Sequence, residues 1–468
     1  MTTPIWRSLY YLLILFVNDV RTASCFKLPS VVARSTSAGH AVSFSLSSVR
    51  SALGVSIGDH DGDNDSSSTS SSSNSRSRGS MMQPTTTPSV LCVGEALWDS
   101  LPSGMYLGGA PTNVAVHLAS LFRRSLGGKN LEHEHEHDEQ VVEHTVAIAT
   151  TLGNDRLGRE SVRRLAQFNV RTDYIQFHST WETGVAMTTI DTNGDATYEF
   201  ITPAAFDGLL LDDALMKLLS PDDENDVQGA SNNNNLVYIM GTMAARLSDG
   251  DSSTTIHRIR NEALEGTVVL DVNLRSPWYT QHKVLELARG SGGKRGDNTN
   301  NKKLALLKLN EDELCILEEW CELEVNEYDD EEALHTSLMT GSALERRMER
   351  LGKCLHTQRL CVTRGKDGAA LWCEMKNGSD DVCSYHENSG YSSLLNTIDN
   401  NGDAIGDSVG AGDAFLAALV CSLLIHHETP ERALERACAL GAYVSSCRGA
   451  TPNHDSAPES LKNIFTFS

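Results

Sequence analysis

Short apolar runs alternate with helically spaced ones along most of the chain. "VLCVGEAL" (90–97), "VAIATTLG" (146–153), "LVYIMG" (236–241), "TVVLDVN" (267–273), "LALLKLN" (304–310) and "LCVTRG" (360–365) are rich in apolar residues, as strands covered on both faces are. Between them, segments 111–121, 159–168, 209–219 and 256–265 space their apolar residues as helices do. Strand, helix, strand repeated in this way predicts an α/β fold with a mostly parallel central sheet between helices. One interval differs. "GVAMTTIDTNGDATYEFIT" (184–202) alternates its side chains around Asn193-Gly194, which predicts a hairpin. Together with the segment near 97–107 it is expected to form a small β lid that closes over a ligand or pairs with a second subunit, making a homodimer.

Outside these runs the composition changes. Residues 59–88 are Ser- and Asp-rich and cannot bury enough apolar surface to order themselves. Similar tracts near 127–140, 221–235, 289–303 and 326–345 interrupt the body and are expected to be loop insertions, because long exposed loops cost little stability. The chain therefore divides into a leader and linker (1–88) and one large domain (89–468). The "HEHEHDE" tract is expected to be a solvated loop rather than a metal site.

The leader has its own pattern. A lone Arg7 precedes an apolar run from Leu9 to Val17 that is short for a membrane span and suits a signal peptide. Residues 26–58 are rich in Ser, Val and Ala, carry Lys27, Arg34 and Arg50, and contain no acidic residue, which is transit-peptide composition. "ASCF" (23–26) at the junction resembles the signature of presequences that deliver proteins into complex plastids. The expected location is the plastid stroma, with no membrane association of the mature form.

Charge and cysteine usage narrow the partners. A formal net charge of −23 repels nucleic-acid phosphates and anionic lipid, so an anionic substrate needs a local basic site. The 11 cysteines have no CxxC spacing, which favours buried reduced thiols over disulfides or zinc.

Polar sequences stand at the carboxyl ends of the predicted strands, where open α/β sheets bind ligands: "GEALWD", "DVNLR", "KLNEDE", "TRGKDG" and "DSVGAGDAF". In the last of these, Gly410, Ala411 and Gly412 permit a tight turn into the apolar helix "AFLAALVCSLL". Amides at such a helix start make an anion site. Asp413 in the first turn either complements the helix dipole or takes a proton from a hydroxyl that attacks a phosphoryl group.

"GEALWDSLP", "LGGAPTNVAVHLASL", "DVNLRSPWY", "KLNEDEL", "TRGKDGAALW" and "DSVGAGDAF" occur in the order of the PfkB, ribokinase-like carbohydrate kinases, and the chain resembles that family from about residue 89 onward, fructokinases most of all. The resemblance implies a three-layer α/β/α sandwich and ATP-dependent phosphorylation of a small-molecule sugar, fructose first. It implies Asp413 as catalytic base, Gly410, Ala411 and Gly412 as anion hole, and Arg275 facing sugar and phosphate. Asp99, Gly108, Gly109 and Asn113 would bind the sugar. Lys308, Thr363, Gly365, Gly368 and Gly441 would serve the nucleotide. Asn310 and Glu313 would organise Mg²⁺, with a helix cap as their ordinary alternative, and Asp407 would open a loop for K⁺. Cys438 stands where many fructokinases carry Asn, and the hairpin tip lacks an Arg that often follows the turn. A kinase for another sugar, 2-keto-3-deoxygluconate or a nucleoside stays open, as does a non-catalytic fructokinase-like protein of plastid transcription complexes.

Overall fold

The computed structural model describes residues 87–101, 104–127, 144–190, 196–219, 236–247, 250–263, 266–290, 303–323, 341–377, 380–391 and 406–467. The "HEHEHDE" tract, the leader and Asn193-Gly194 lie outside these residues. The strands are β1 (Val90–Val93), β2 (Leu97–Leu101), β3 (Gly104–Gly108), β4 (Val146–Gly153), β5 (Ile175–His178), β6 (Gly184–Ile190), β7 (Ala196–Phe200), β8 (Val237–Gly241), β9 (Thr267–Asp271), β10 (Leu306–Asn310), β11 (Arg359–Thr363), β12 (Ala369–Asn377) and β13 (Asp380–Asn388). Nine of them form the central sheet in the order β13-β12-β11-β10-β9-β8-β1-β4-β5. All neighbours from β11 to β5 are parallel; at the other edge β12 runs antiparallel to both β11 and β13.

Period-2 side-chain alternation divides each inner strand between two cores. Val90 and Cys92 point into one apolar cluster, Leu91 and Val93 into the other. Helices α1 (Ala110–Gly127) and α2 (Arg156–Gln167) cover the first face. On the second lie α3 (Asp213–Leu219), α4 (Asp251–Glu262), α5 (Gln281–Arg289), α6 (Glu311–Trp320) and α7 (Gly341–Cys354). Next in the chain, α8 (Ala411–Val420), α9 (Pro430–Ser445) and α10 (Glu459–Phe465) return to the first. This is the three-layer sandwich.

Local chemistry moves several boundaries from those the pattern predicts. The run 90–97 breaks at Gly94, whose φ of 147° and close approach to Pro111 end β1; Leu97 belongs to the next strand. Helix α2 starts early because Asp155 Oδ1 accepts Gly158 N (2.7 Å). Helix α3 starts late, where Asp212 Oδ1 accepts Leu215 N (3.0 Å). Residues 341–345, at the end of an interval expected to be loop, form the first turn of α7.

A second sheet has the order β3-β2-β6-β7. Parallel pairing of β2 with β6, Leu97 opposite Gly184, joins two antiparallel hairpins. Leu97, Ala186, Ala204 and Phe206 make a small core of their own beneath it. This sheet carries Asp99 and Tyr106 toward the carboxyl ends of the central strands.

Candidate active site

The start of α8 organises one side of the site. Gly410 caps the helix with φ 77°, a left-handed conformation suited to glycine. A Cβ there would also lie 2.5 Å from Ala450 Cβ. Ala411 N donates to Ser408 O at 3.3 Å, so Gly412 and Asp413 supply the first-turn amides that have no intrahelical carbonyl. Under them lies Lys308, buried at the carboxyl end of β10 and donating from Nζ to both oxygens of Asp271 (3.0 and 3.1 Å). A Cβ on Gly412 would sit 3.2 Å from that ammonium. Burial opposes the charge on Lys308, but Asp271, Glu313 and Asp413 outweigh it and raise its pKa. The molecule thus places a fixed cation behind an anion-binding helix start.

Asp413 is half-buried beside it, and its Oδ2 accepts Asn113 Nδ2 at 2.8 Å, a contact between residues 300 positions apart. Burial, then the Asp271 charge, push its pKa up to about 6, against the pull of Asn113, Lys308 and Arg275. A carboxylate so tuned is ionised at neutral pH yet basic enough to accept a proton.

The sugar-side candidates converge on the same spot. Asp99, on β2, is raised to about 7 by burial and then by the charges of Asp413 and Asp407, while Arg275 pulls it down. At Gly108 a Cβ would fall 2.0 Å from Asp99 Oδ2 and so would displace that carboxylate. Gly109, at φ 101°, passes so close to Glu95 that its Cβ would lie 2.4 Å from that residue's carbonyl oxygen. Arg275 Nη1 donates to Leu274 O (3.3 Å).

Asn310 and Glu313 form a reciprocal cap on α6. Asn310 Oδ1 accepts Glu313 N (2.8 Å), and Glu313 accepts Asn310 N (2.9 Å) and Leu274 N (2.7 Å), one on each oxygen. Burial raises the Glu313 pKa, with Lys308 opposing. Asp407 clamps a loop, with Oδ1 accepting Val409 N (3.1 Å) and Oδ2 accepting Gly449 N (3.0 Å). Among the described residues no group of three or more His, Cys, Asp or Glu could hold a metal.

Of the nucleotide candidates, Lys308 lies beneath the start of α8 and Gly441 beside it, whereas Thr363, Gly365 and Gly368 stand at the end of β11 and in the turn after it. Thr363 ends β11 and donates weakly to Leu309 O (3.4 Å). The turn after it closes through Arg364 N to Gly368 O (2.8 Å). At Gly368 a Cβ would strike Asn388 O at 1.9 Å, whereas Gly365 faces open space. Gly441 lies in α9 where that helix meets α8, its would-be Cβ 3.2 Å from Ala411 O.

Residue patterns did not single out Glu95 or Arg246. Glu95 Oε1 accepts Ala110 N (3.2 Å), and Thr112 donates to its backbone oxygen (3.0 Å), so it supports the Gly109 turn. Burial, with backbone donors opposing and Asp413 adding to it, raises its pKa to about 7. Arg246 forms a fully buried bidentate pair with Asp207 (2.8 and 2.7 Å), its guanidinium over the rings of Phe206 and Trp278. "GEALWD" hinted at Glu95; nothing local pointed to Arg246.

A sheet sandwiched by helices, with a helix-start anion site and a half-buried carboxylate at its carboxyl edge, defines a ribokinase-like phosphoryl-transfer fold. Residues 103–457 match the pfkB family of carbohydrate kinases, and the chain belongs to that family. Solved structures agree on the fold. A fructokinase from Xylella fastidiosa with bound ATP superposes with a TM-score of 0.52 at 18% identity, over 81% of this chain and 98% of that one. An aminoimidazole riboside kinase from Salmonella enterica, complexed with its riboside and an ATP analogue, gives 0.50 at 19%, over 81% and 99%. A fructokinase from Vibrio cholerae in fructose-, ADP- and calcium-bound form gives 0.50 at 19%, over 80% and 98%. A search of curated proteins returns no match.

Proposed function

We propose that the protein transfers the terminal phosphoryl group of ATP to a sugar hydroxyl, with fructose as the substrate. The observation that carries this reading is Asp413, ionisable near neutrality, held by Asn113 and set in the first turn of the α8 anion site. In this reading Asp413 takes the proton of the attacking hydroxyl. Gly412 and Asp413 amides, with Lys308 behind them, meet the charge that develops on the transferring group. Asp99 and Asn113 orient the hydroxyls, and the sheet of β2, β3, β6 and β7 excludes water.

ATP supplies the phosphoryl group and Mg²⁺ neutralises its oxygens when bound. Asn310 and Glu313 suit a hydrated Mg²⁺: each oxygen keeps a lone pair beyond its backbone bond, and Mg²⁺ needs few direct protein ligands. Asp407 and its loop are the proposed K⁺ site. We further propose delivery to the plastid stroma through residues 1–88, and dimerisation through the second sheet.

The test is an ADP-release assay over fructose, other hexoses, sugar acids and nucleosides, with Mg²⁺ and K⁺ varied. Fructose should give the highest kcat/KM. A higher value for another sugar would move the substrate, and no ADP release on any of them would overturn the kinase reading.

A further inference from the structure

Two buried histidines take no part in the chemistry above, yet they tie the sugar-side helix to the wall of the anion site. His117 lies one turn beyond Asn113 on α1 and is wholly buried. Its Nε2 is 2.9 Å from Ala450 O and its Nδ1 is 2.8 Å from His454 Nε2; the rings stack with centroids 5.1 Å apart. A carbonyl oxygen only accepts, so Nε2 of His117 carries the proton. The neutral ring then presents a bare Nδ1, and His454 donates to it from Nε2. Burial keeps His117 neutral, pushing its pKa down to about 4.

What this pair holds is the backing of α8. Ala450 is the residue on which Gly410 rests, its oxygen 2.8 Å from where a Gly410 Cβ would be. Gly449, the residue before it, donates its N–H to Asp407. From behind, His454 meets the edge of Phe465 (centroids 5.6 Å, 70°), and Tyr443 donates to Asn453 O at 2.6 Å. Helix α1 therefore fixes the base through Asn113 in one turn and the loop under Gly410 through His117 in the next.

We propose that His117 and His454 are positioning residues for phosphoryl transfer. Their hydrogen bond sets Gly449–Ala450, and through them Gly410 and the first-turn amides of α8, relative to Asp413. The proposal rests on the kinase reading, but its test includes a measurement that needs no turnover.

In His117→Ala, backbone amide exchange across 406–413 should quicken. With fructose kcat should fall about ten- to a hundredfold, since small misplacements near a reacting centre cost that much, while the sugar KM stays within about threefold. His117→Gln, which keeps a donor of similar reach, should recover most of both. The double variant His117→Ala/His454→Ala should be no slower than the single one. Unchanged exchange in His117→Ala would overturn the proposal. So would quicker exchange, or a lower melting temperature, with an unchanged kcat, because the pair would then only stabilise the fold. A wild type without turnover on any sugar would sink the kinase reading, and the exchange data would still show whether the pair orders residues 406–413.

Discussion

In the proposed site the phosphoryl side is built from the consecutive residues Gly410–Asp413 at one helix start, whereas the sugar side gathers Glu95, Asp99, Gly109 and Asn113 from separate segments. The first offers amides and a paired lysine; the second packs carboxylates that all sit above their ordinary pKa. Backbone donors in a helix cost nothing to preorganise. Side chains brought together from a distance must be desolvated, and here they repel one another. Asp413 belongs to both sides, by sequence to the first and by its Asn113 bond to the second.

Removing that shared residue should have the largest effect. Asp413→Ala should lower kcat by about 10²- to 10⁴-fold, with an unchanged circular dichroism spectrum. Asp99→Asn should act mainly on the sugar KM. If steady-state kinetics showed Asp413→Ala turning over normally, the assignment of the base would fail.

Next is the cation beneath the amides. Lys308→Met leaves Asp271 buried without its partner, which costs about 3–5 kcal/mol in comparable pairs. Denaturant unfolding should show that loss, and adding Asp271→Asn should return part of it. Equal stability of Lys308→Met and wild type would mean that Asp271 finds another partner.

A smaller contrast separates the two glycine sites. In Gly410→Ala the new Cβ meets Ala450 backbone at φ 77°, so neither side can yield; about 1–3 kcal/mol of stability should go. In Gly108→Ala the obstacle is the Asp99 side chain, which can rotate away. Stability should suffer less there and the sugar KM should rise. The reverse order in thermal melts and kinetics would show that the sugar side is the more rigid.

These two sides were not equally legible in the amino-acid sequence. "GAGDAF" announces a turn and a helix start because the chemistry is contained in neighbouring residues, and β4 runs over 146–153 as its largely apolar pattern implies. Lys308 with Asp271, Arg246 with Asp207, and His117 with His454 are pairs set by topology, 37, 39 and 337 positions apart, and no local pattern contains them. Which residues meet in these pairs follows from how the elements pack, not from their neighbours in the chain. The hairpin β12–β13 is a different kind of miss: β12 ends at Asn377, and the sequence Asn377-Gly378 is the same turn signal that marked 193–194.

The smallest predicted effect tests whether crowded carboxylates really set the two sides apart. Asp413, Asp99 and Glu95 have folded-state pKa values of about 6, 7 and 7, above their ordinary ones. The folded protein therefore holds their protons more tightly than the unfolded chain. Their contribution to stability is complete below the ordinary carboxyl range and is lost as pH rises through about 6–7, at up to about 1.4 kcal/mol per pH unit for each group. Melting temperature without ligand should fall between about pH 4 and 7 and level off above, and Asp99→Asn should flatten the fall. Activity should run the other way, kcat/KM rising with pH up to about 6 as Asp413 loses its proton. Asn113→Ala removes a bond that favours the ionised form, so its acid limb should shift to higher pH. An acid limb unmoved by Asn113→Ala would mean that a group other than Asp413 sets it.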